Sequence, residues 1–247
     1  MDTSGSTGDT GKPGQLPGGG QKLVGLVLVA VLLVGLAGAT GFFIARRPAV
    51  QVDANTVALQ EGIAAFKAGA FKVALEKFKP LAKQGNAQAS YWLGRMNEDG
   101  LGMAKDVNAA ISLYGTAAEG GWTAAKFQLG EIYFRGMEEL QDFKKARKWL
   151  EQAARDGSAP ARADLGRLYA NGWGGPKDLV QAYVWYEFAA KQGDYAAQRL
   201  RDGLLKNMPD EDVAKAQDLT EKMAPEVFAH ANDKANGTKT QENASAK

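Results

Sequence analysis

Through most of the chain apolar residues recur three and four apart, and short runs rich in glycine and aspartate break them at regular intervals. This is the pattern of short amphipathic helices joined by tight turns. From Asn86 to Gly193 it acquires a fixed period of 36 residues and runs through three copies, opening at Asn86, Trp122 and Ser158. A single unit of that size cannot bury its own apolar face, so such a period marks a stack of repeats. The spacing predicts helices over 55–68, 71–84, 87–99, 107–119, 123–135, 143–155, 159–171, 179–191, 195–206 and 210–223. The fold class is therefore all-α, a solenoid of five antiparallel helix pairs with no strand.

Columns in register assign each part of the unit. Ala89, Ala125 and Ala161 recur, as do the Leu-Gly steps at Leu93, Leu129 and Leu165. Gly in mid-helix costs roughly 0.5–1 kcal/mol against Ala, so Gly94, Gly130 and Gly166 imply that a second helix crosses there at close range. The Ala-Ala pairs at 117–118, 153–154 and 189–190 are the expected small surface facing them. Gly100, Gly136 and Gly172 stop the first helix (A), and Gly121, Gly157 and Gly193 stop the second (B), each at a left-handed cap. Asp106, Asp142 and Asp178 stand one residue before helix B, where a carboxylate accepts backbone N–H bonds and faces the positive helix end.

The pattern A-x3-L-G-x2-Y-x2-G … D-x3-A-x2-W-Y-x2-A-A-x2-G resembles the Sel1-like repeat (SLR) family, relatives of the tetratricopeptide repeats. The third copy carries it most fully, through Leu165, Gly166, Tyr169, Gly172, Gly174, Asp178, Ala182, Trp185, Tyr186, Ala189, Ala190 and Gly193. The first copy departs at Asn97, where the family prefers Tyr, and the second has Glu138-Glu139 where the loop usually carries a second Gly. The resemblance implies a right-handed α-solenoid whose A helices line a concave face. In that family the positions three before and one, four and five after the central Gly point into it. These are Tyr91, Arg95, Glu98 and Asp99 in the first copy, Phe127, Glu131, Phe134 and Arg135 in the second, and Ala163, Arg167, Ala170 and Asn171 in the third. Aromatics framed by charges of both signs suit a peptide or a partner helix, while Tyr91 and Phe127 are equally placed to pack between neighbouring A helices.

The flanks complete the organisation. Residues 1–22, rich in Gly, Ser, Thr and Pro, read as a disordered tail. Leu23–Ala45 is a charge-free stretch closed by Lys22 and Arg46-Arg47; as a helix it spans about 35 Å, enough to cross a bilayer core. A cleavable signal peptide is the competing reading, since Ala37-Gly38-Ala39 has the form of a cleavage site. Against it, the leader has no basic cluster at its start and apolar residues continue through Phe42, Phe43 and Ile44. Basic residues balance across the segment, so the placement expected for the solenoid, the periplasmic side of a bacterial inner membrane, rests on similarity to single-anchor envelope proteins rather than on charge. Residues 50–85 read as a degenerate first pair with a shorter turn at Gly69-Ala70, and 194–230 as capping helices. Pro225 is expected to interrupt the last helix, and 231–247 to form a disordered tail.

Composition narrows the chemistry. Thirty basic and 28 acidic residues are interspersed, which gives no basic stripe for nucleic acid, and the absence of cysteine removes thiolate metal sites and disulfides. The single histidine, His230, has no Cys or clustered carboxylate near it in sequence. Glu98-Asp99, Glu138-Glu139 and Asp210-Glu211-Asp212 sit at loops and helix starts, as capping or solvated charges do. Gly172-Trp-Gly-Gly-Pro-Lys-Asp178 lies between two helices and lacks the Lys-Ser/Thr ending of a phosphate loop. Trp149, Trp185, Tyr114 and Tyr186 fall on the inner face of helix B. The sequence thus points to no enzyme, no cofactor and no metal. It points to a membrane-tethered scaffold for other proteins, in a membrane complex, with a structural or glycan-binding role in the cell envelope as the alternative.

Overall fold

Glycine positions set the architecture. In this computed structural model, which describes residues 53–136 and 141–245 and side chains as far as 229, the central glycine of each A helix has a bulky helix B side chain lying directly on it. A β-carbon on Gly94 would stand 2.9 Å from the Tyr114 ring, on Gly130 2.6 Å from Leu150 Cγ, and on Gly166 2.6 Å from the Tyr186 ring. The close crossing expected from the Leu-Gly columns is therefore present, but its partner differs from the expected one. A ring or leucine fills the gap left by each glycine. The Ala pairs instead close on the next A helix, with Ala117 and Ala118 clustered with Ala125, and Ala153 and Ala154 with Ala161.

The described residues hold helices α1 (Ala54–Lys67), α2 (Phe71–Lys83), α3 (Ala87–Asp99), α4 (Val107–Glu119), α5 (Thr123–Arg135), α6 (Phe143–Arg155), α7 (Ala159–Asn171), α8 (Leu179–Ala190), α9 (Tyr195–Leu205) and α10 (Asp210–Ser245), and no strand. Helices α1/α2, α3/α4, α5/α6 and α7/α8 form pairs, and each pair stacks on the next through α2–α3, α4–α5, α6–α7 and α8–α9. The first pair repeats the seam of the others, because Gly62 lies under the Phe78 ring. Asp106, Asp142 and Asp178 accept backbone N–H bonds at the starts of α4, α6 and α8, and Gly100, Gly136 and Gly172 take left-handed conformations at the ends of α3, α5 and α7.

The interhelical loops pack onto the preceding unit. Gly102 (φ +73°) abuts Phe71, and Gly174 (φ +76°) abuts the backbone of Phe143, at the first residues of α2 and α6. Neither position has room for a β-carbon, and an L-residue there is strained besides. The same column holds Glu138 in the second copy, and residues 137–140 lie outside the described residues.

The C-terminal end departs from the expected plan. Instead of pairing with α9, α10 packs against α8 and reaches α6. The reason lies in the column where earlier units carry Leu-Gly. There α9 has Arg201-Asp202, which cannot receive a crossing helix B, and Arg201 pairs with Glu187 of α8 and with Asp202. Nor does Pro225 end the last helix, as the sequence led one to expect: α10 runs on to Ser245 with Pro225 inside it. Packing beyond the proline offsets the lost backbone hydrogen bond. Val227 is buried, and the Phe228 ring meets Phe188 at 5.5 Å in an edge-on contact. Beneath them the fully buried Arg162 donates from Nε to the Ala154 carbonyl (2.9 Å) and from Nη2 to the Val227 carbonyl (3.4 Å). Its Nη1 finds no acceptor among the described residues, and burial lowers its pKa to about 10.

Among the described residues no helix is long and apolar enough to cross a membrane. The segments 1–22 and 23–45 lie outside the described residues, as do 246–247, and the side chain of His230 is likewise not described.

Candidate functional site

Three stations lie along the A helices. On α3, the Tyr91 ring sits among Trp92 (5.4 Å), Tyr114 (5.9 Å) and Trp122 (6.0 Å), half-buried in the core around α4. Arg95 lies over the Phe66 ring at 5.5 Å and beside Trp92, and is 3.9 Å from the Asp99 carboxylate. Glu98 accepts a hydrogen bond from the Tyr114 hydroxyl at 2.6 Å. Burial first, and this carboxylate second, push the Tyr114 pKa far above its ordinary value. Of this station Asp99 is exposed; Tyr91, Arg95 and Glu98 are partly committed to packing.

On α5 and α7 charges of both signs meet. Glu131, itself buried, forms an ion pair with Arg135, and Arg167 donates to Asp164 at 2.8 Å. The Glu131 charge on α5 also acts on Asp164 across the two helices. Asp164 was not singled out by sequence, because its column holds Trp92 and Gln128 in the other copies; the only signal was an acid three residues before Arg167. Burial, then the neighbouring Glu131 charge, push the Asp164 carboxyl up to about 7, while Arg167 and Arg135 oppose the shift. The folded state therefore holds a proton that the unfolded chain releases near its ordinary value of 3.8. Stability from this group is full below about pH 4 and is lost as pH rises towards 7. In urea unfolding, Asp164→Asn is expected to remove that part of the decline, and the same slope in wild type and variant over this range would contradict the assignment.

The third station is the loop end. Phe134 meets Phe143 at 5.9 Å and Trp173 at 5.8 Å, and Phe143 stacks on Trp173 at 5.3 Å. The structure thus places Phe134 in a ring cluster joining the second copy to the third copy's loop, while Phe127 packs beside the core of the third copy. Phe134→Ala is expected to cost about 2 kcal/mol, less than a fully buried ring because the site is half-exposed. An unchanged unfolding midpoint would leave the cluster without structural weight. Asn171 donates to the Arg167 carbonyl of its own helix at 2.9 Å, and its side chain is exposed. Glu131, Arg135 and Arg167 are thereby brought together, with Asp164 between them. Among the described residues no group of three His, Cys, Asp or Glu is placed to hold a metal ion.

Helix pairs locked at a Leu-Gly seam, with loops seated on the preceding unit, define an α-solenoid of helix-pair repeats. The Sel1 repeat matches at residues 87–122, 123–158 and 159–194. Among solved structures, the Sel1 repeat protein from Oxalobacter formigenes is 36% identical, covers 52% of this chain and 97% of its own, and has a TM-score of 0.48. A protective antigen present in uropathogenic Escherichia coli strains displaying an SLR fold is 27% identical over 71% of this chain and 49% of its own, with a TM-score of 0.39. Curated proteins give no match. Residues 87–194 are thus three consecutive Sel1 repeats, a kind of repeat that generally mediates protein–protein interactions.

Proposed function

We propose that the protein is a membrane-tethered adaptor that docks other proteins on the surface of its A helices and performs no catalysis. The reading rests chiefly on one observation. Along α3, α5 and α7 the side chains outside the packed seams present exposed polar groups, Asp99, Arg135, Arg167 and Asn171, and α3 and α5 also carry the partly buried rings of Tyr91, Phe127 and Phe134. Charged groups bordering apolar ones are what the rim and centre of a protein interface require. Residues 23–45 would anchor the solenoid to a bacterial inner membrane, with the repeats on the periplasmic side.

In detergent extracts, the full chain is expected to retain a partner that Asp99→Lys/Asn171→Lys loses by several-fold. Glu119→Lys/Lys148→Glu, on the B helices, should keep it. Equal loss from both variants would move the binding surface. A reporter that folds only in the periplasm should be active when fused after Lys247, and activity of a cytoplasm-only reporter there would reverse the placement.

A further inference from the structure

The kind of partner follows from the four charges that link α5 to α7, an inference that rests on the adaptor reading above. Glu131 and Asp164 are only 7% and 8% exposed, yet the side chains of the arginines they hold are 64% and 45% exposed. Each guanidinium uses one nitrogen on its carboxyl, Arg135 through Nη2 and Arg167 through Nη1. Because a guanidinium carries five N–H donors in a planar fork suited to carboxylates, each keeps donors for a second anion. The buried carboxyls hold the two forks in place beforehand, which lowers the ordering cost of binding.

We propose that Arg135 and Arg167 form a clamp for the carboxylates of an acidic segment of the bound partner, and that Glu131 and Asp164 beneath them set the clamp's net charge. With the Asp164 carboxyl protonated and Glu131 paired to Arg135, the cluster carries two positive charges against one negative. When that proton leaves, the charges cancel. The groups acting on Asp164 are Glu131 and Arg135 from α5, Arg167 from its own helix and the Tyr186 hydroxyl from α8. Among these Tyr186 is itself raised, to about 12, by burial foremost, so Asp164 is the group that titrates near neutrality. By linkage, an acidic segment binds more tightly when the proton is held, and its binding favours retention of that proton.

The test uses the full chain in detergent micelles and a labelled hexaglutamate peptide, whose side chains stay ionised above pH 6. Binding is expected to be about fivefold tighter at pH 6 than at pH 8, the effect of one unit charge about 4 Å away screened as in water, about 1 kcal/mol. Asp164→Asn should bind at both pH values as the wild type does at pH 6, and Arg135→Gln/Arg167→Gln, with helicity retained, should lose binding at both. Hexaglutamine should not bind. Equal wild-type affinity at the two pH values, or hexaglutamate binding that survives the double Gln variant, would overturn the proposal. If hexaglutamate fails while partner capture through Asp99 and Asn171 persists, this inference falls and the adaptor reading stands; the opposite result removes the adaptor reading, and with it the partner, leaving only a carboxylate-binding site at the two arginines.

Discussion

Ending the chain at Ala224 is expected to lower unfolding stability by about 3 kcal/mol, the largest effect foreseen here. Truncation removes Val227, which is 1% exposed, and the Phe228 ring that covers Phe188. Full burial of each such side chain contributes about 1.5–3 kcal/mol. The Val227 carbonyl that receives Arg162 and the 3.0 Å ion pair between Arg155 and Glu226 go as well. Arg162 gains water in exchange, which returns part of the loss. Val227→Ala/Phe228→Ala in the full-length chain should reproduce most of the drop in urea midpoint. If both forms unfold at the wild-type midpoint, α10 beyond Pro225 does not hold the solenoid end.

Gly130→Val should cost about 2 kcal/mol or more. A β-carbon there would lie 2.6 Å from Leu150 Cγ and 2.7 Å from Cδ2, so the added side chain must drive α5 and α6 apart. Branching at the β-carbon does not help a helix position either. Combined with Leu150→Ala, which opens space at the same seam, the two changes should cost less than their sum. Residues in direct contact couple by about 0.5–3 kcal/mol. Strict additivity in that double-mutant cycle would mean that the glycine column serves something other than the helix crossing.

Most of the helix pairs were legible because each boundary is written by a residue with one physical job. The aspartates before helix B cap, and the glycines after helix A adopt φ near +70°, so α3 to α7 fall where the columns put them. The partner of the central glycine was misassigned because a repeating Ala-Ala pair looks like the obvious small surface. The actual knob, Tyr114, Leu150 or Tyr186, varies in type from copy to copy. The path of α10 had no column at all. Its seat is made by Arg162 and Phe188, where the other copies carry Ser90 or Lys126 and Thr116 or Gln152, and only the fold brings those two positions under Val227 and Phe228. At the candidate surface, periodicity found Glu131, Arg135 and Arg167 but not Asp164, and it could not tell Phe134 in a loop-end cluster from a ring facing a groove.

The central claim, that partners dock on the A helices, is tested most directly by photo-crosslinking in cells. A photoreactive residue placed at Asp99, Arg135 or Asn171 on the A helices, and at Glu119 or Lys148 on the B helices, samples the two surfaces within one full-length chain. The adaptor reading predicts adducts to the same protein from the A-helix positions and none from the B-helix positions; adducts confined to Glu119 and Lys148 would contradict it.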